Sequence, residues 1–176
     1  MTARRVTRAA GSAALIMAGV ALSGCGPIEY HGQDSGIDGV LWRQIAGFED
    51  PANFYESSTQ VPETYLAEAG VDRWDGSLST RPDVGEGAIL IYDVSTSGAE
   101  AEFSVFVSSG PRPDTPTDSG HDYSGPSQVY TCYEIAADLG SPTPAVERTI
   151  FTTCPEALVS LLPQDAAFAS ADTYDG

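Results

Sequence analysis

The sequence predicts an α+β fold, with helices packed on one face of an antiparallel sheet of about four strands. Two observations carry this. Apolar residues recur at helical spacing early in the chain, whereas from residue 88 onward runs of β-branched and aromatic residues alternate with a period of two. Helical segments come first and several consecutive strands follow, which is the order of an α+β protein rather than a βαβ one.

Ile37, Val40, Leu41 and Ile45 share one helical face, with Gly47 as a stop, and Trp42 and Phe48 are expected to pack with them. A second short helix is signalled by Pro62 in its first turn and Glu63 near its N-terminus. Tyr65, Leu66 and Ala69 share its face, and Gly70 ends it. Residues 75–87 are turn-rich. Residues 88–95 and 101–108 then read as a β-hairpin around Thr96, Ser97, Gly98 and Ala99. In its second strand Phe103, Val105 and Val107 point one way and Glu102 and Ser104 the other, so one face is expected in the core and the other partly wet. Residues 128–136 alternate in the same manner, and 146–153 make a fourth strand. Pro155 and Glu156 open a helix carrying Leu158, Leu161 and Leu162, stopped before Pro163. From Gln164 to residue 176 the chain is small and acidic, and a flexible tail is expected. No segment repeats itself.

Chemistry-bearing motifs are scarce. The longest irregular stretch, 109–127, holds Asp114, Asp118, His121, Asp122 and Tyr123 and reads as a solvated connection or a partner-binding loop. Its acids lack the alternate-position ligands and closing glutamate of an EF-hand, so no metal is expected. His121, Asp122 and nearby serines are close neighbours in one loop, and supply neither an oriented base nor an oxyanion hole. There is no G-x-S-x-G elbow, and a chain without lysine has no Walker-type phosphate loop. No catalytic residue and no cofactor are expected.

The N-terminus is the most informative segment. Arg4, Arg5 and Arg8 precede a small, apolar stretch over residues 9–24, which is shorter than the ~18–20 residues of a membrane-spanning helix. Leu22-Ser23-Gly24-Cys25 closes it. That ending resembles the lipobox of bacterial lipoproteins, in which the cysteine is lipidated and becomes the mature N-terminus. The resemblance implies a signal peptide over 1–24, a lipidated tether over 25–36, a single extracytoplasmic domain over 37–163 and the acidic tail over 164–176. It also implies a cysteine pairing. With Cys25 occupied by lipid, Cys132 and Cys154 remain, and in an oxidising compartment they should bridge.

Removing residues 1–24 leaves five arginines against 25 acidic residues, a formal charge of −20. The imbalance comes mostly from missing cations, and it disfavours nucleic acid as a partner, because that binding is driven by clustered Lys and Arg. The style of the chain is similar to small acidic lipoproteins of high-GC Gram-positive bacteria, and a curved sheet of the cystatin kind suits the element order. The resemblance implies an anchor on the extracytoplasmic face of the cell membrane. The expected role is a binding or accessory module for an envelope protein, peptide or wall component. A carboxylate-based envelope hydrolase and an extracytoplasmic sensor or inhibitor of a membrane enzyme are the alternatives.

Overall fold

The computed structural model describes residues 26–32, 35–54, 62–68, 70–77, 79, 81–112, 125–140 and 145–170. Within them the chain forms β1 (Ile28–Tyr30), α1 (Ser35–Phe54), α2 (Pro62–Glu68), β2 (Asp72–Arg73) and β3 (Ala88–Ser97). It continues through β4 (Glu100–Ser108), β5 (Val129–Asp138), β6 (Ala145–Ile150), α3 (Glu156–Val159) and β7 (Ala167–Ala169).

The strands make one seven-stranded mixed sheet in the order β1-β7-β5-β4-β3-β2, with β6 also paired to β5. This corrects the expected antiparallel sheet of about four strands with helices on one face. The expected strands are present as β3 to β6 and pair antiparallel with one another. Three short strands are added in parallel: β2 on β3, β7 on β5 and β1 on β7. At two or three residues each they are too short to display a period of two, so pattern alone does not announce them.

Both faces of the sheet are covered. On one, Phe103, Val105, Val107, Tyr133 and Ile135 meet Ile37, Leu41, Ile45 and Phe48 of α1 and Leu66 of α2. Phe48 and Phe103 touch edge to face, 6.2 Å between ring centres. On the other, Leu90, Tyr92, Phe106, Tyr130, Cys132 and Phe168 meet Trp74, Val84, Leu158, Leu162 and Ala166. The face expected to be partly wet is therefore core over much of its length. Glu102 stays exposed, but Ser104 is buried.

The disulfide between Cys132 and Cys154 holds this second layer on, with the two Cα atoms 5.6 Å apart. Phe151 N–H also donates to the Cys132 carbonyl, 3.1 Å away. The chain thus turns from β6 directly over β5 and delivers Leu158 of α3 into the second core.

Both ends of the domain differ from expectation. Within the expected tether, Ile28–Tyr30 is strand β1 and α1 begins at Ser35. Within the expected tail, Ala167–Ala169 is strand β7, buried at all three positions and lying between β1 and β5. Small side chains suit a short strand with layers on both faces, and Phe168 supplies the one large ring, 5.8 Å from that of Tyr130. Trp42, expected in the helix core, is exposed instead.

Replacing Cys132 with Ala should cost about 3 kcal/mol, a fall in Tm of roughly 6–12 °C for a domain of this size. The loop closed by the bridge spans 22 positions. Calorimetry of the variant beside the reduced wild type checks this, and an unchanged midpoint in both would show that the bridge does not stabilise the second layer.

Candidate functional site

A concavity lies at the end of the sheet where β3, β4, β5 and β6 run beyond the second core. Cross-strand register builds it. Ser95, Glu102, Ala136 and Glu147 stand side by side across four strands, and Ser97, Glu100 and Asp138 form the next row. The groove they line encloses about 360 Å³. A bulge in β3 between Tyr92 and Ser95 sets this register. At its centre Asp93 has a φ of 50°, a left-handed conformation that Asp tolerates better than most residues.

The lining is chemically one-sided. Glu100, Glu102, Asp138 and Glu147 supply carboxylates and Ser95 and Ser97 hydroxyls, with no histidine and no cationic group. Glu100 and Asp138 are directly opposite in the β4–β5 ladder, an unfavourable like-charge pair. The groove can accept hydrogen bonds and attract positive charge. It has no paired base and nucleophile. Among the described residues no group of three or more His, Cys, Asp or Glu is placed to hold a metal ion.

Tyr92 marks the border between this acidic end and the second core. Its ring meets Trp74 edge to face at 6.1 Å. Burial pushes its phenol up to about 12, with the Asp93 charge adding to the rise and a hydrogen bond with Ser104 working against it. Burial raises Tyr130 as well.

A charged clamp ties α1 to the sheet on the opposite face. Glu49, 8% exposed, is paired with Arg148 of β6. The Arg148 guanidinium lies 5.2 Å from the centre of the Tyr133 ring. These groups face a helix rather than an opening, and they fix the far half of α1 over β6.

The loop between β4 and β5 leaves from a rigid neck. Ser109 N–H donates to the Val129 carbonyl at 2.8 Å, Val129 N–H to Ser109 Oγ at 3.0 Å, and Arg112 N–H to the Ser127 carbonyl at 3.1 Å. Ser127 donates from both its backbone and its hydroxyl to Asp165, holding that carboxyl below the usual carboxylate range. Gly110 has a φ of 71°, and a Cβ there would meet the Glu86 carbonyl oxygen at 2.5 Å, so the backbone approach requires glycine.

The structure brings Cys132 and Cys154 together. Cys25 and the loop residues Asp114, Asp118, His121, Asp122 and Tyr123 lie outside the described residues. The groove residues were not singled out from the sequence. The alternation of Glu100, Glu102 and Ser104 signals a polar face, but only register aligns it with Asp138 and Glu147. Compared with protein families, curated proteins and solved structures, the chain matches none.

Two outcomes follow from these contacts. A phenol raised in the folded state stabilises the fold fully below the ordinary tyrosine value of 10.0, and that stability is lost as pH rises towards about 12. In a thermal series over that window, Tyr92→Phe should show a shallower fall in Tm than wild type, and parallel curves would refute the assignment. R148M should cost about 2–3 kcal/mol by leaving Glu49 buried without its partner, and adding E49L should restore most of it. Denaturant titration of the three variants measures the coupling, and simple additivity would mean that the clamp is energetically idle.

Proposed function

We propose that the protein is a lipoprotein anchored through Cys25 on the extracytoplasmic face of a membrane, where its domain acts as a binding or accessory module. The observation that carries the anchor is the cysteine pairing. Cys132 and Cys154 are consumed by the disulfide, so Cys25, which closes the Leu-Ser-Gly-Cys motif behind a basic and apolar leader, is the single thiol left. A disulfide also suits an oxidising compartment outside the cytoplasm. Among the described residues no helix is long and apolar enough to cross a membrane. Two acyl chains suffice for stable anchoring, at about 0.8 kcal/mol per buried CH₂.

The binding reading rests on the groove at the far end of the sheet. Its acceptors and hydroxyls, without an activated nucleophile, suit recognition of a partner that presents hydrogen-bond donors or positive charge, such as an envelope protein or peptide or an amine-bearing wall component.

Cys25→Ala should abolish lipidation and leave unprocessed or mislocalised precursor. Fractionation with mass spectrometry of the N-terminal peptide reads this out, and normal membrane retention would overturn the anchor. Cross-linking in intact cells should recover an envelope partner that is lost with Glu102→Gln and Asp138→Asn together. Recovery of the same partner with that variant would remove the groove from the binding surface.

A further inference from the structure

Only two large apolar side chains are conspicuously exposed among the described residues, Ile28 at 54% and Trp42 at 62%. Single exposed apolar residues are ordinary, but these two share one edge of the molecule. Ile28 and Tyr30 are two apart in β1 and therefore on the same side of the sheet, the side that carries α1. The Tyr30 hydroxyl donates to Asp38 Oδ1 of α1 at 2.7 Å, which ties the strand to the helix. Trp42 is four residues beyond Asp38, one turn along the same flank of α1. That flank also holds Glu49, which reaches β6, so it faces the β1 and β6 side of the sheet.

The place where the chain leaves this edge gives the edge an occupant. Three peptide steps separate Cys25 from Ile28, and they span at most about 11 Å. Pro27 removes part of the remaining freedom. A lipid on Cys25 would therefore hold β1 within roughly the depth of a headgroup layer from the acyl chains, the depth at which interfacial apolar side chains settle. Tryptophan is the side chain most enriched at that level. The carboxylate-lined groove sits on β5 residues 136–138, whereas β7 and β1 join the sheet at β5 residues 129–130, on the order of 25 Å away along the strand.

We infer that the β1 edge and the adjoining flank of α1 lie against the bilayer surface, with Ile28 and Trp42 seated at the headgroup–acyl boundary, so that the domain stands in one orientation with its acidic groove facing away from the membrane. The inference rests on the anchor reading above and adds the surface that meets the lipid.

The test uses full-length, processed protein reconstituted into phosphatidylcholine vesicles containing brominated acyl chains. Flotation and the mass of the N-terminal peptide report the anchor, and tryptophan emission reports the orientation. Trp74, buried in the second core, is the internal reference. Lipidated, floating protein should show a blue shift and a loss of emission in brominated vesicles, and both should vanish with Trp42→Phe, which still floats. Lipidated, floating protein whose Trp42 emission is neither shifted nor quenched would overturn the orientation and leave the anchor intact. Absence of lipid on Cys25 would overturn the anchor and, with it, the membrane contact.

Discussion

Strand β5 is hydrogen-bonded along both edges and, from Val129 to Tyr133, buried on both faces, and the other layers take their positions from it. One edge is occupied by β4 over nearly its whole length. The other is divided, with β6 pairing from Tyr133 to Asp138 and β7 at Val129 and Tyr130. Because β7 is seated in the lower part of that edge, β1 has a strand to pair with, and the N-terminal end of the domain is held in the sheet. Cys132 lies in the middle of the same strand and receives the bridge that fastens α3 across the second face. A disturbance of β5 would reach both cores and the N-terminal edge together.

The divided edge also gives the molecule two unlike ends. Near β7 and β1 the backbone enters the domain beside Tyr30, Asp38 and the exposed Ile28 and Trp42. Beyond the second core the ladder runs on into the hairpin between β3 and β4, where carboxylates from three strands share one groove. Packing there is not compensated by pairing, since Glu100 opposes Asp138 with no cation in the lining. The protein does use a buried ion pair, Glu49 with Arg148, but applies it to fixing α1. With only five arginines after residue 24, one is committed to that clamp, and the groove is left as a surface that can attract positive charge.

The parts legible from the sequence were those in which a local rule acts alone. Alternation located β3, β4, β5 and β6, and the inward set Phe103, Val105 and Val107 is fully buried. Helical spacing located the core face of α1 at Ile37, Leu41 and Ile45, and Pro62 opened α2 as its preference for the first turn predicts. The cysteine pairing followed from counting three thiols and assigning one by its motif. Each of these rests on covalent chemistry or on side-chain periodicity along one segment.

The remaining features depend on neighbours distant in sequence. Segments of two or three residues become strands when a longer strand offers an open edge, so β1, β2 and β7 carry no periodicity of their own. Whether the polar-looking face of β4 is wet depends on where α3 lands, and the bridge to Cys132 lands it over Phe106 and Tyr130 but not over Glu102. Trp42 is exposed because it sits on the flank of α1 beside the face that packs, a matter of helix rotation set by contacts with β4 and β6. Local pattern and cysteine count suffice for the four longer strands, the inward residues and the pairing of two cysteines. Edge occupancy, layer placement and helix rotation, and with them both candidate surfaces, were decided by long-range packing that no single segment encodes.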